Sequence, residues 1–262
     1  MFDMRRRSSR ITIQVLITLM IIPFLFPLVA MVRGSLQGQG WNNYATVLSV
    51  EELPLFFRNS LIIALGTLVL VYICTMLAAF GFSKLRIPFK ELYFWLLIAT
   101  LALPEVVLLT PMFTTAVALN LYNTYLAVIV PLAALQLPFT VLLTRNFIDG
   151  IPDQLMEAAE LDGASIRRTF VHILLPLTKP IAAAVIVLTV ITAWNNFLLP
   201  LVFLQDPSHQ TITQLPLFFV GQFSNDQTKV LAAAVVTIVP EVLAYLALQK
   251  YFERGMAAGA IK

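Results

Sequence analysis

SLIIALGTLVLVYICTMLAAFGF, residues 60–82, decides the fold, because it carries no charged side chain over more than twenty positions. At a rise of ~1.5 Å per residue, a helix of that length spans a hydrocarbon core of ~30 Å. Working outward, five further runs of similar length and character occupy 11–32, 92–115, 125–144, 181–204 and 230–248. The expected fold class is an all-α membrane protein with six transmembrane helices in one membrane domain covering 1–262. Prolines fall inside several runs (Pro23, Pro27, Pro104, Pro111, Pro131, Pro138 and Pro240). They would break helices in water, whereas in a membrane neighbouring helices can satisfy the freed backbone groups.

Composition agrees. Hydrophobic residues make up 59% of the chain and charged residues 12%, too little charge to build a soluble surface on 262 residues. The net charge of +3 raises nucleic acid as a partner, but the placement of the charges argues against it. With the N-terminus inside, the inner segments hold Arg5, Arg6, Arg7, Arg10, Lys84, Arg86, Lys90, Arg145, Arg167, Arg168, Lys179, Lys250, Arg254 and Lys262, and the outer segments hold Arg33, Arg58 and Lys229. This alternation follows the positive-inside rule at every loop and puts both termini in the cytoplasm. The first run exceeds the apolar core of a cleaved signal and lacks a small-x-small site, so it reads as a retained span. The lone cysteine, Cys74, sits in an apolar run and reads as a packing residue.

Three loops are long enough to carry function. Residues 33–59 and 205–229 lie outside, and 145–180 lies inside. In the inner loop, Pro152 suits a helix start and Asp153, Glu157 and Glu160 complement the dipole of a short helix. Gly163 can stop that helix in a left-handed C′ position. A second amphipathic stretch follows, with Ile166, Phe170 and Ile173 on one face and Arg167, Arg168 and Lys179 available to lipid headgroups. Pro176 and Pro180 are expected to end it before the fifth span. The Ala158-Ala159 pair offers a small-residue face that another protein could approach closely.

Glu157-Ala158-Ala159, three residues, Gly163, nine residues and Ile173-x-Leu175-Pro176 resemble the EAA loop of binding-protein-dependent ABC importer permeases. The resemblance extends to Asn59-Ser60-Leu61, Leu103-Pro104, Trp194-Asn195-Asn196-Phe197 and Gly255-Met256-Ala257-Ala258-Gly259, which look like the maltose-type carbohydrate permeases. It is weakest in the N-terminal region. It implies a prokaryotic inner-membrane subunit forming half of a pore with a second, different permease subunit. Two cytoplasmic ATPase subunits would bind ATP and Mg, and an external solute-binding protein would deliver a sugar or oligosaccharide. By position, Glu157, Ala158, Ala159, Asp162 and Gly163 would dock on the ATPase, with Ile173, Leu175 and Pro176 completing the motif. The resemblance also implies that 205–229 reaches toward the binding protein and that the tail from Gly255 meets the ATPase dimer.

Glu105 and Glu241 lie within spans, where acids are costly and mark function. Each follows a proline, and so could cap loosened backbone, line a watery cavity or contact solute. Asn195 and Asn196 could bind a hydroxylated solute or bridge helices, and Trp194 could stack on a sugar or simply pack. The alternative cargo is a polyol or a glycerophosphodiester. A stand-alone carrier would need paired intramembrane charges and repeated halves. An intramembrane enzyme would need a nucleophile–base pair or a metal cluster. His172 and His209 fall on opposite sides of the membrane, so no metal or other cofactor is expected in this chain. The absence of G-x-x-x-x-G-K-[ST] argues against ATP hydrolysis by the chain itself.

Overall fold

A computed structural model describes residues 7–221 and 226–260. Arg5, Arg6, Lys262 and residues 222–225 of the outer loop lie outside the described residues. The described residues are helical throughout, joined by short turns. In chain order the helices are α1 (Arg7–Ser35), α2 (Trp41–Leu48), α3 (Leu53–Lys84), α4 (Lys90–Ala99), α5 (Glu105–Ala118), α6 (Leu126–Asp149), α7 (Gln154–Leu161), α8 (Ile166–Thr169), α9 (Leu175–Leu177), α10 (Lys179–Asn195), α11 (Leu198–Phe203) and α12 (Gln227–Ala260).

Four single helices are long and apolar enough to cross a bilayer: Ile13–Ser35 within α1, α3, α6 and Gln227–Leu246 within α12. They cover the first, second, fourth and sixth apolar runs. Two bent pairs bring the possible total to six. Lys90–Ala102 and Glu105–Ala118 meet at 105°, and Ile166–Leu177 and Lys179–Asn195 meet at 77°. The third run is therefore two helices rather than one rod. Leu103 is extended before Pro104, because the proline ring disfavours helical backbone at the preceding residue. The fifth run also divides. Its helix ends at Asn195, Asn196 is extended, and α11 starts two residues later. The inner-loop bend falls at Thr178, between Pro176 and Pro180.

The chain forms two compact units. One comprises Met1–Leu53 and Leu215–Val239. Within it, the buried Asn43 ties the chain together: its amide donates to the Ser35 and Gln37 carbonyls at 2.9 and 2.8 Å, and its oxygen accepts from Thr228 at 3.5 Å. The apolar side chains of α1 are largely exposed, as expected of a helix whose solvent is lipid.

The other unit comprises Pro54–Gln214 and Pro240–Lys262. Its core packs Ile63, Val128, Leu132, Leu199 and Phe203 from α3, α6 and α11. A hydroxyl pair, Thr75 and Thr140 at 2.7 Å, bridges α3 and α6 in a buried position. The same two helices approach closely at Gly66, where a Cβ would stand 2.6 Å from Ile129 Cδ1 and 3.3 Å from its Cγ1. Gly66→Ala should therefore destabilise by about 1–3 kcal/mol through overpacking. Ile129→Val deletes the offending Cδ1, so the double variant should melt close to Ile129→Val alone in detergent thermal scans.

Candidate functional site

Two regions of the second unit gather the residues singled out from sequence. The first is the inner loop. Helix α7 opens with the Met156 and Glu157 amides bonding the Asp153 carbonyl at 2.8 and 3.0 Å. It closes with a double cap, in which the Gly163 N–H reaches the Glu160 carbonyl at 3.0 Å and the Ala164 N–H reaches the Ala159 carbonyl at 2.9 Å. Gly163 has φ +73, the left-handed residue this Schellman closure requires. Glu157, Ala158, Asp162 and Gly163 are exposed, whereas Ala159 is buried. The small-residue face open to another molecule is thus Ala158 alone, and Ala159 packs inward. Leu161, which the sequence reading passed over, is 89% exposed at the end of α7.

Downstream, Ile173 lies in a single wide, π-helical turn, 170–174. Leu175 packs against the cluster of Val71, Met76 and Val185. Pro176 is exposed. These three residues form the elbow leading into α10.

A latch of charges holds the loop to the helix ends. Lys84 at the end of α3 donates to the Ile151 carbonyl and to Asp153 Oδ1, both at 2.6 Å. Arg145 near the end of α6 pairs with Glu91 at 2.5 Å and with Asp149 at 3.7 Å, and its guanidinium lies 4.0 Å over the Phe94 ring. Ser83 also donates to Asp149 at 2.5 Å. The Lys84 hydrogen bond, reinforced by its charge, holds the Asp153 carboxyl below its ordinary value. A groove of about 700 Å³ opens here, its charged lining being Lys84, Arg86 and Lys90 together with Asp153, Glu157 and Glu160.

The second region lies where α10 breaks. Asn195 Nδ2 donates to Glu241 Oε1 at 2.6 Å, and Asn196 Nδ2 donates to Glu105 Oε1 at 3.1 Å. Asn196 Oδ1 accepts the Leu199 N–H at 3.0 Å, satisfying one of the amides orphaned where α11 starts. Glu105 opens α5 immediately after the 105° bend. Four polar residues chosen separately from sequence are thus two hydrogen-bonded pairs at two broken helices and one proline-interrupted helix. Trp194 stands apart, 8% exposed and edge-on to Phe57 at 5.3 Å. Among the described residues no group of three or more His, Cys, Asp or Glu side chains could hold a metal ion.

The family model of the binding-protein-dependent transport system inner membrane component matches residues 71–258, a stretch that contains both regions. The chain belongs to this family. It is the multi-pass inner-membrane permease component of a bacterial ABC importer, a non-catalytic subunit. The melibiose/raffinose/stachyose import permease MelC of Bacillus subtilis is 33% identical over 223 residues, covering 85% of this chain and 81% of MelC. The sn-glycerol-3-phosphate transport system permease UgpE of Salmonella typhi is 35% identical over 204 residues, covering 77% of this chain and 72% of UgpE. A chain of a bacterial ABC transporter involved in the import of the acidic polysaccharide alginate superposes with a TM-score of 0.79 at 22% identity, covering 95% of this chain and 99% of that one. That likeness establishes the permease fold.

The segment 206–214, expected outside from the charge pattern, is pinned rather than free. Asn59 Nδ2 donates to the Ser208 and Gln210 carbonyls, both at 2.8 Å, and its oxygen accepts from Tyr125 at 2.7 Å. The Ile212 N–H bonds Ser60 Oγ at 2.9 Å. The Asn59-Ser60 pair, noted in sequence only as part of a resemblance, is the clamp on this segment.

Two outcomes follow for the inner loop. Gly163→Ala should destabilise the α7 cap by ~1–2 kcal/mol, and Gly163→Asn by less, since asparagine tolerates left-handed backbone. Amide exchange across 154–164 measures both. Asp153 titrates below its unfolded value, so its pairing contributes fully above the ordinary carboxylate range and is lost as pH falls through the lowered value. Exchange of the same amides, corrected for intrinsic rate, should stay level between about pH 5 and 8. It should rise roughly tenfold in Lys84→Met, where the latch is gone at every pH.

Proposed function

We propose that this permease forms half of the translocation pore of an importer for a sugar or oligosaccharide. An external solute-binding protein delivers the cargo, and one of two ATPase subunits docks on the exposed side of α7. The observation that carries the cargo reading is the arrangement at the α10 break. Two carboxamides and two carboxylates offer hydrogen-bond donors and acceptors suited to hydroxyls. None of the six apolar runs holds a Lys or Arg to neutralise an anion. In a low-dielectric pathway an unbalanced pair of carboxylates repels a phosphate or a sugar acid. MelC, an import permease for uncharged oligosaccharides, supports the same reading. The identity with UgpE favours a second cargo, a glycerol phosphate, with which the carboxylates fit poorly. The pore partner is taken to be a different permease chain, as the maltose-type resemblance implies.

Glu157, Ala158, Leu161, Asp162 and Gly163 form the docking face, with Ala159 as its internal support and Ile173, Leu175 and Pro176 as the elbow behind it. A short capped helix with one small residue and one protruding leucine suits insertion into a cleft. The latch then passes a push on α7 to the ends of α3, α4 and α6 as a rigid-body movement. Trp194 is assigned to packing against Phe57.

ATP-dependent uptake by proteoliposomes of the complete transporter decides the cargo, with labelled raffinose, maltose and glycerol-3-phosphate as probes. Saturable uptake of a neutral sugar is expected, falling about tenfold or more in Glu105→Gln, which keeps the shape and removes the charge. Uptake confined to glycerol-3-phosphate would sink the carbohydrate reading. Leu161→Asp should strip the ATPase from the purified complex while leaving the permease folded. Retention of a full complement of ATPase would count against α7 as the docking helix.

A further inference from the structure

Three contacts meet on one residue. The Asn196 side chain reaches Glu105 at the head of α5 and caps α11 through the Leu199 N–H, while its main-chain carbonyl accepts a hydrogen bond from Thr213 Oγ1 at 3.2 Å. Thr213 belongs to the pinned outer segment and shares its hydroxyl with Thr211 at 2.9 Å. The Thr211 N–H is closed by Gln214 at 3.1 Å, and the neighbouring Ile212 N–H by Ser60. Thr211, Ile212, Gln214 and Leu215 are buried, so this stretch cannot shift by side-chain rearrangement alone. Displacing it moves the Thr213 hydroxyl, and with it the peptide group of Asn196.

We propose that Asn196 is a positioning residue through which the outer segment 206–214 sets the Glu105 carboxylate at the bend between α4 and α5. The inference rests on the reading above, in which Glu105 faces the translocation pathway. It adds a route by which an event at the outer surface reaches that site. Asn196 suits the task because its backbone is extended and outside any helix, so its carbonyl is free for Thr213. Its carboxamide can then serve two partners at once, accepting from Leu199 and donating to Glu105. An alanine would keep the first link and lose the other two. An aspartate would keep the cap but place a second negative charge beside Glu105.

Hydrogen exchange of the complete transporter in lipid nanodiscs tests the route without any substrate. Thr213→Val removes the hydroxyl links to Asn196 and to Thr211 and keeps the side-chain shape. Exchange should rise about tenfold at 106–109, around the first turn of α5, more than a hundred positions away in sequence, as well as locally. Thr213→Ser restores a hydroxyl and should match the wild type at 106–109. In an Asn196→Ala background, where the link to Glu105 is already cut, Thr213→Val should add less than twofold there. Changes confined to 205–214 would overturn the proposal. So would Thr213→Ser behaving like Thr213→Val, or full multiplicative addition in the double variant. Exchange at 106–109 does not depend on whether Glu105 touches solute, so failure here is read separately from an unaffected Glu105→Gln uptake.

Discussion

A peptide group that leaves a helix inside hydrocarbon has no water to turn to, and leaving it unpaired costs several kcal/mol. That constraint governs how this permease can bend. Where its backbone departs from a helix in a membrane-length run, another group must take over a bond the helix gave up. At the α10 break the substitute is Asn196, whose Oδ1 closes the Leu199 amide, while Thr213 covers its carbonyl. The break exists because these substitutes exist. The carboxamide left over after capping is what meets Glu105, so structural necessity and the proposed pathway site share one residue.

The same device recurs at the ends of helices. Asn43 and Asn59 each donate twice to main-chain carbonyls and accept once from a hydroxyl. Asparagine suits this work because its amide carries two donors and an acceptor without charge, so it can be buried fully satisfied. An aspartate would lose both donations and leave a charge to neutralise. Among the described residues the buried polar side chains are accordingly asparagine, threonine, serine and glutamine, and most of the charges gather at the helix ends and in the loops.

Much of this was legible in the residues. Runs of apolar side chains located the helices because lipid length and helix rise fix the period, and Gly163 announced its cap because few residues accept a positive φ. Direction was harder to read. Apolarity counts length but not angle, so 92–115 looked like one rod although Leu103-Pro104 turns it through 105°. Likewise Asn195 and Asn196 were read within one run, 181–204, although the helix ends at Asn195 and resumes at Leu198. The pairings themselves were out of reach. Asn196 and Glu105 stand 91 positions apart and Asn195 and Glu241 stand 46, and no local periodicity links such positions. The inner loop was half legible: spacing gave the helix, but which alanine points outward depends on what packs beneath α7.

That last point bears on how a short helix can carry force. Eight residues are too few to be stable alone, since nucleation is costly and propagation brief. Helix α7 is held instead from outside itself, by its Schellman closure at one end and by Lys84 on Asp153 and Ile151 at the other. Ala159 packs inward between them. Lys84 is nearly buried while Asp153 is mostly exposed, so the pair itself contributes little stability, as exposed ion pairs do. Its value is geometric: the ammonium also bonds the Ile151 carbonyl, which fixes the chain just before α7 relative to the end of α3. A helix pinned at both ends moves with the spans it is pinned to, whereas one hung on loose chain would swing under the same push. Under the docking reading, the sequence needs the latch residues as much as the exposed face, although the latch lies outside the motif that drew attention to the loop.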